Sequence, residues 1–285
     1  FLVQTDRGWR IEGISKSHKL SALFLAGEIP AICSFTDLPE STDGLAWAEE
    51  KLAHINTQTI YTEDDVHHVW NVPCFGAIPY QVPGDVVSKE LTDAIQQVGI
   101  TIDRLAPNTP KLIAVTSCAT GAGCSMVSGA VATSFAALGD RTLLVDLHPT
   151  TPKLHTRFQV ADLHPGLAQL ASGKADFPEC LKPTQHANIR FLSAGNHQAV
   201  SRAMLNCLAE LLPIFDRVVI NAPQQSEIAS FIQERDGVLA LVVALGRSTI
   251  DELSHAITPL TAFTPPQIGY ILNFVPAGHL DEANE

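Results

Sequence analysis

Apolar positions along the chain come in two textures. Up to about residue 83 they form short pieces broken by turn residues and acidic patches, and from Lys111 onward they form unbroken runs separated by amphipathic stretches. The runs at 112–116, 142–146, 189–192, 217–220, 238–243 and 268–273 are apolar at successive positions rather than at every second one. Such strands are buried on both faces. Their alternation with helical segments predicts an α/β fold built on a mostly parallel, doubly wound sheet. A helix is expected over 126–138, ended by Gly139, and another over 84–105, where Val87, Leu91, Ile95, Val98 and Ile102 fall at helical spacing. Thr62-Glu63-Asp64-Asp65 ahead of Val66, Val69 and Trp70 reads as the capped first turn of a short helix, and residues 73–79 as a short strand closed by proline. Residues 1–60 form an N-terminal extension of unassigned fold. Trp9, Trp47 and the apolar stretch 20–35 suggest that it folds, because disordered chain seldom carries such residues.

A doubly wound sheet binds its ligands beyond the carboxyl ends of the strands, so chemistry is sought in the loops after Thr116, Asp146, Ile220 and Leu272. The first of these reads Ser117-Cys118-Ala119-Thr120-Gly121-Ala122-Gly123-Cys124-Ser125. Between a strand and a helix, consecutive backbone N–H groups can form a nest for phosphate. Gly121 and Gly123 would let the backbone wrap the anion, and Ser125 stands where a hydroxyl would meet magnesium. The lysine of the phosphate-loop pattern is missing, and Cys124 occupies its place. The alternative is a tight strand-to-helix connection with no ligand.

Composition narrows the partners. With 18 Lys and Arg against 30 Asp and Glu the formal charge is −12, and no basic run offsets it. Phosphate backbones and anionic lipid surfaces are therefore poor partners. The stretch 20–35, broken by Glu28 and Pro30, is shorter than the roughly 20 residues of a spanning helix. Cys33, Cys74, Cys118, Cys124, Cys180 and Cys207 contain no CxxC pair, which favours reduced thiols in a cytoplasmic protein over a zinc site or a disulfide framework. The chain begins at Phe1 without a signal-peptide pattern, which suggests a piece of something longer.

The order of landmarks over about 60–277 resembles the bacterial tyrosine kinase (BY-kinase) family, the cytoplasmic ATPase domains of polysaccharide co-polymerases and relatives of the MinD and ParA ATPases. The resemblance is carried by Thr62 to Val66 with Val72 to Pro79, by 111–125, by 143–155, by Gly166-Leu167 with Ala171-Ser172-Gly173, by Ser193-Ala194-Gly195, by 215–223, and by Asp236-Gly237-Val238 followed by Ile271-Leu272-Asn273. It implies that 61–285 is a P-loop NTPase domain. The family's nucleotide-binding positions then fall on Gly121, Ala122, Gly123, Cys124, Ser125, Asp146, Asn221 and Asn273, the last contacting adenine in related ATPases.

The resemblance also shows where the pattern breaks. Family members carry lysine at the position of Cys124, two acids and an arginine at those of Asp146, His148 and Thr150, and an aspartate at that of Asn221. Each lost electrostatic partner costs on the order of 10²–10³ in rate by analogy with other active sites, so no catalytic residue is assigned. Removing the lysine also forfeits about 4 kcal/mol of attraction for phosphate at a separation of about 4 Å. The helix preceding the core has no arginine over 92–98, and the tail 281–285 has no tyrosine. No cofactor or metal is expected, the alternative being ATP or ADP with magnesium on Ser125 and Asp146.

The implied function is that of a catalytically inactive kinase-like scaffold or regulator in exopolysaccharide or capsule synthesis and export. The alternatives are an active kinase or ATPase of that pathway, and a nucleotide-sensing module without hydrolysis. Its partners would be proteins, among them a membrane-embedded polysaccharide co-polymerase or a second copy, with no nucleic acid and no direct insertion into the membrane. It would sit in the cytoplasm at the inner face of the membrane. Cys124 is read as a small residue filling the vacated lysine position, or else as a reactive thiol activated by the helix end. His148 and His155 are expected in a surface loop, His67-His68 on a solvated helix face, and Asp216 at a helix-to-strand turn without chemistry.

Overall fold

The computed structural model describes residues 59–81, 88–105, 111–148, 154–195, 199–223, 226–260 and 267–276, together with the backbone of 2–5 and 8–11. The stretch 20–35 with Cys33, as well as Trp47, Val87, Thr150 and the tail, lies outside the described residues.

In chain order the strands are β1 (Leu2–Thr5), β2 (Gly8–Ile11), β3 (Cys74–Pro79), β4 (Lys111–Ser117), β5 (Thr142–Asp146), β6 (Lys182–Pro183), β7 (Ile189–Ser193), β8 (Arg217–Asn221), β9 (Val238–Ala244) and β10 (Ile268–Val275). The helices are α1 (Glu63–Val69), α2 (Lys89–Leu105), α3 (Cys124–Ala137), α4 (Leu154–Arg157), α5 (Leu167–Ala171), α6 (Phe177–Cys180), α7 (Arg202–Leu211), α8 (Ser226–Gln233) and α9 (Ile250–Ile257). β1 and β2 pair antiparallel by themselves. The main sheet has the order β3-β10-β9-β4-β8-β5-β7-β6, parallel throughout except for the two-residue edge strand β6.

Period-two side-chain placement sorts the apolar runs onto two faces. Ile113, Val115, Leu144, Phe191 and Val219 point to one, where Val127, Val131 and Phe135 of α3 and Val98 and Ile102 of α2 cover them. Leu112, Ala114, Leu143, Val145, Val218 and Ile220 point to the other, under α7 and α8. A third cluster joins Leu241, Val243, Tyr270 and Leu272 to Leu253 of α9, Val66 of α1 and Ile60. The expected mostly parallel, doubly wound sheet is the one found. At Gly99 α2 crosses α3 so closely that a Cβ would stand 2.7 Å from Ser134 Oγ.

α1 starts where expected. Thr62 Oγ1 accepts from Asp65 N while Asp65 Oδ2 accepts from Thr62 N, a reciprocal capping box. α3 departs from expectation, beginning at Cys124 rather than at Met126. Gly123, with φ of 95°, turns the chain straight into helical geometry, so Cys124 and Ser125 belong to the first turn. Among the described residues no helix is long and apolar enough to cross a membrane.

Candidate functional site

Strand register builds the floor of the site. Val115 near the end of β4, Asn221 at the end of β8, Asp146 at the end of β5 and Ser193 at the end of β7 form one row of neighbours. Asp146 and Asn221 share the sheet face of Leu144 and Val219, beneath α3. Because α3 begins at position 124, three of its residues, Cys124, Ser125 and Ser128, reach down to them.

Asn221, fully buried, is the hub of this network. Its Nδ2 donates to Asp146 Oδ1 at 2.9 Å and to Ser125 Oγ at 3.2 Å. Its Oδ1 faces the Cys124 thiol at 3.1 Å and the Ser128 hydroxyl at 3.3 Å, although Ser128 has a shorter bond to Cys124 O at 2.8 Å. Two donors and two acceptors are all that a side-chain amide has, and here all four face partners. An aspartate in this place would offer no donor to Asp146. The amide thus gives Asp146, 1% exposed, a donor that a carboxylate at position 221 would not.

Burial raises the Asp146 pKa, opposed by the bond from Asn221 and by His148 N, which donates to Oδ1 at 3.2 Å. Asp146 Oδ2 has no partner. Cys124 is also enclosed, its thiol 3.2 Å from Val115 O, and burial pushes its pKa up to about 12. This corrects the reactive-thiol alternative: desolvation outweighs the helix end, and the thiol fills space as a neutral donor. Cys118 is buried too, its thiol 3.1 Å from Ser248 Oγ, with its pKa raised by desolvation.

Above the network the loop keeps the form of an anion cradle. Gly121 and Gly123 have φ of 86° and 95°. A Cβ on Gly123 would stand 2.2 Å from Asn273 Nδ2, whereas one on Gly121 would meet nothing, because that residue faces solvent. The first N–H groups of α3 have no partner within the helix. Asn273 is fully buried and donates to Ala122 O at 2.8 Å, tying the cradle to β10, while its Oδ1 is unpartnered. One of its two amide N–H donors is therefore engaged by the loop.

The structure brings together Ala122, Gly123, Cys124, Ser125, Asp146, Asn221 and Asn273, with Gly121 at the rim. For magnesium these residues offer one unpartnered carboxylate oxygen and the Ser125 hydroxyl, with no second acid among them. For phosphate they offer backbone amides and no lysine. The anion cradle fits its ligand, and the cationic half of the site does not.

Four residues near the site escape a reading of the sequence. Ser128 lies one helical turn beyond Cys124, a spacing that could have drawn attention to it. Phe274, Arg247 and Tyr80 meet only through strand order. Tyr80 and Phe274 pack edge to face with centroids 5.9 Å apart, and the Arg247 guanidinium lies 4.1 Å from the Phe274 centroid.

Elsewhere, His67 and His68 are exposed as expected. His155 is corrected from loop to the short helix α4. Asp216 ties Arg141 through both carboxylate oxygens at 2.9–3.0 Å, which lowers its pKa to about 2. Among the described residues no cluster of His, Cys, Asp or Glu could hold a metal.

No protein-family model matches the chain. It is 30% identical over 184 residues to the succinoglycan biosynthesis transport protein ExoP of Rhizobium meliloti, a match covering 59% of this chain and 23% of ExoP. The chain thus spans about a quarter of that relative's length. It is 26% identical over 179 residues to the putative tyrosine-protein kinase CapB of Staphylococcus aureus, covering 60% of this chain and 78% of CapB. Among solved structures, the BceF tyrosine kinase domain superposes with a TM-score of 0.65 at 21% identity, over 77% of this chain and 100% of that one. The kinase domain of Escherichia coli tyrosine kinase ETK does so with a TM-score of 0.62 at 17% identity, over 76% and 95%. The resemblance to bacterial tyrosine kinases read from the order of motifs is borne out in sequence, and the fold is that of their kinase domains.

Proposed function

We propose that this chain is a kinase-like domain that does not transfer phosphoryl groups, and that it acts as a scaffold or regulator in bacterial exopolysaccharide or capsule synthesis and export. The observation that carries this reading is the saturated Asn221. At the point where a phosphoryl-transfer site concentrates charge around a cation and a polyphosphate, Asn221 hydrogen-bonds to Cys124, to Ser125 and to Asp146. Phosphoryl transfer depends on preorganised charge. Here a neutral amide and a protonated thiol stand in for it.

The pathway is supported by ExoP, named for succinoglycan biosynthesis transport. A membrane-embedded polysaccharide co-polymerase or another synthesis or export protein is the partner we infer, and it would hold the domain at the inner face of the membrane. A second reading, nucleotide sensing without hydrolysis, draws on the cradle kept open at Gly121.

The test is complementation in the source cell. Deletion of the chain should lower polymer output, and an Asp146→Asn chain should restore it, because Asn221 Nδ2 can donate to an amide oxygen as well as to a carboxylate. Failure of Asp146→Asn, with the variant folded and present at wild-type level, would mean that the charge at position 146 works in catalysis and would sink the proposal.

A further inference from the structure

An arginine stands in the turn that follows another strand. β9 ends at Ala244 on the same carboxyl edge of the sheet as the cradle, and the turn that follows carries Arg247, which is exposed. Its guanidinium lies 4.1 Å from the centroid of the Phe274 ring. That ring also reaches the cradle, since a Cβ on Gly123 would stand 3.7 Å from Phe274 Cζ. Arg247 is thus one aromatic ring away from the Gly123 backbone.

Two features set this arrangement apart from incidental surface packing. Phe274 has φ of 62°, a left-handed conformation that a bulky residue adopts only where its surroundings enforce it. Tyr80 packs against the ring edge to face, and Tyr80 N bonds to Val275 O, so the platform is fixed from two strands. Among the described residues no carboxylate forms an ion pair with Arg247. The site also holds two unpartnered acceptors that are fully or almost fully buried, Asn273 Oδ1 and Asp146 Oδ2, and both call for a donor or cation brought in with the ligand rather than for the phosphate itself.

We propose that Arg247, seated on Phe274, is the cation that recognises a diphosphate-bearing ligand at the 117–125 loop, in place of the lysine absent at Cys124. A guanidinium suits this task, because its planar fork pairs with two phosphate oxygens at once and stacking on an aromatic face holds it ready. Coming from the side of the cradle, it would bind the anion without displacing the Cys124–Asn221 network. The proposal rests on reading the loop as an anion cradle and is independent of whether phosphoryl transfer occurs.

Calorimetric titration of the full chain with inorganic pyrophosphate, ADP and ATP, each with and without magnesium, tests it. The wild type should bind, and Arg247→Ala should weaken binding about tenfold or more, the size of one charge-assisted hydrogen bond. Arg247→Lys should recover part of that loss and Phe274→Leu should lose part of it. Arg202→Ala, which removes an exposed guanidinium already paired with Glu234, should bind as the wild type does. Raising ionic strength should weaken the wild type more than Arg247→Ala, a difference that a purely structural arginine would not produce. Pyrophosphate binding that depends on Arg247 assigns recognition to the diphosphate itself, and Arg247-dependent binding of ADP alone assigns it to a nucleotide. Binding unchanged in Arg247→Ala, or no binding of any of the three, would overturn the proposal. ATP turnover, by contrast, would count against the non-catalytic reading and leave this one standing.

Discussion

Replacing Asn221 by aspartate probes the network at its hub. The substitution changes almost no volume, but it removes the donor that serves Asp146 and Ser125 and puts a second carboxylate next to the first. At the 2.9 Å that separates Asn221 Nδ2 from Asp146 Oδ1, two unit charges repel by about 6 kcal/mol at an effective dielectric of about 20. The pair can escape by holding one proton. Starting from the ordinary aspartate pKa, that costs about 4 kcal/mol at pH 7 and about 1.5 kcal/mol at pH 5. The cheaper route sets the penalty, and because burial already raises the Asp146 pKa these figures are upper bounds.

The sign follows from linkage. The pair's pKa is raised in the folded state, so the penalty is present above the unfolded carboxylate pKa and fades as pH falls toward it. Urea denaturation of Asn221→Asp and wild type at both pH values reads this directly. The variant should be less stable by up to about 4 kcal/mol at neutral pH, with most of the gap closing at pH 5. Millimolar magnesium should recover stability in the variant and leave the wild type unchanged, since two facing carboxylates are what a hard cation needs. A variant as stable as the wild type at pH 7, or a deficit of the same size at pH 5, would refute the view of Asn221 as the group that replaces a cation.

Cys124, enclosed and with its pKa pushed up to about 12, should resist iodoacetamide in the native chain at pH 8 and react once the chain is denatured, as peptide mapping would show; modification in the native state would contradict its placement. Gly123→Ala should destabilise the chain by about 2 kcal/mol, because alanine is strained at φ of 95° and its Cβ would push Asn273 off Ala122. Denaturation of that variant with no loss of stability would argue against the left-handed helix start.

The sheet was legible because its strands are apolar at successive positions, a pattern that only a strand covered on both faces requires. Runs such as Val238 to Val243 fell inside β9, whose end at Ala244 lies one residue beyond the expected strand. The edge strand β6 was not legible, since Lys182 and Pro183 carry no periodicity and pair only because β7 lies beside them. The start of α3 was misplaced by two residues, as Cys and Ser carry weak helix signals and the deciding factor is the backbone angle of Gly123.

The candidate site shows the same division. Its residues could be picked out one by one from the loop and the strand ends. That Asn221 completes a circuit with Cys124, Ser125 and Asp146 depends on strand register, which aligns Asn221 with Val115 on one side and Asp146 on the other. A count of charges in the sequence registers only that an acid is missing there. Arg247 was missed for a related reason: it meets Phe274 across neighbouring strands, 27 positions away in sequence, through a left-handed residue that no local pattern announces.

The most direct measurement is single-turnover hydrolysis of γ-labelled ATP with magnesium, with the chain in excess, combined with detection of phosphotyrosine on the chain and on any co-purified partner protein. The saturated Asn221 network predicts no release above the uncatalysed background and no phosphotyrosine, with or without the partner. Release that Asp146→Asn abolishes, or phosphotyrosine that appears only with ATP, would contradict it.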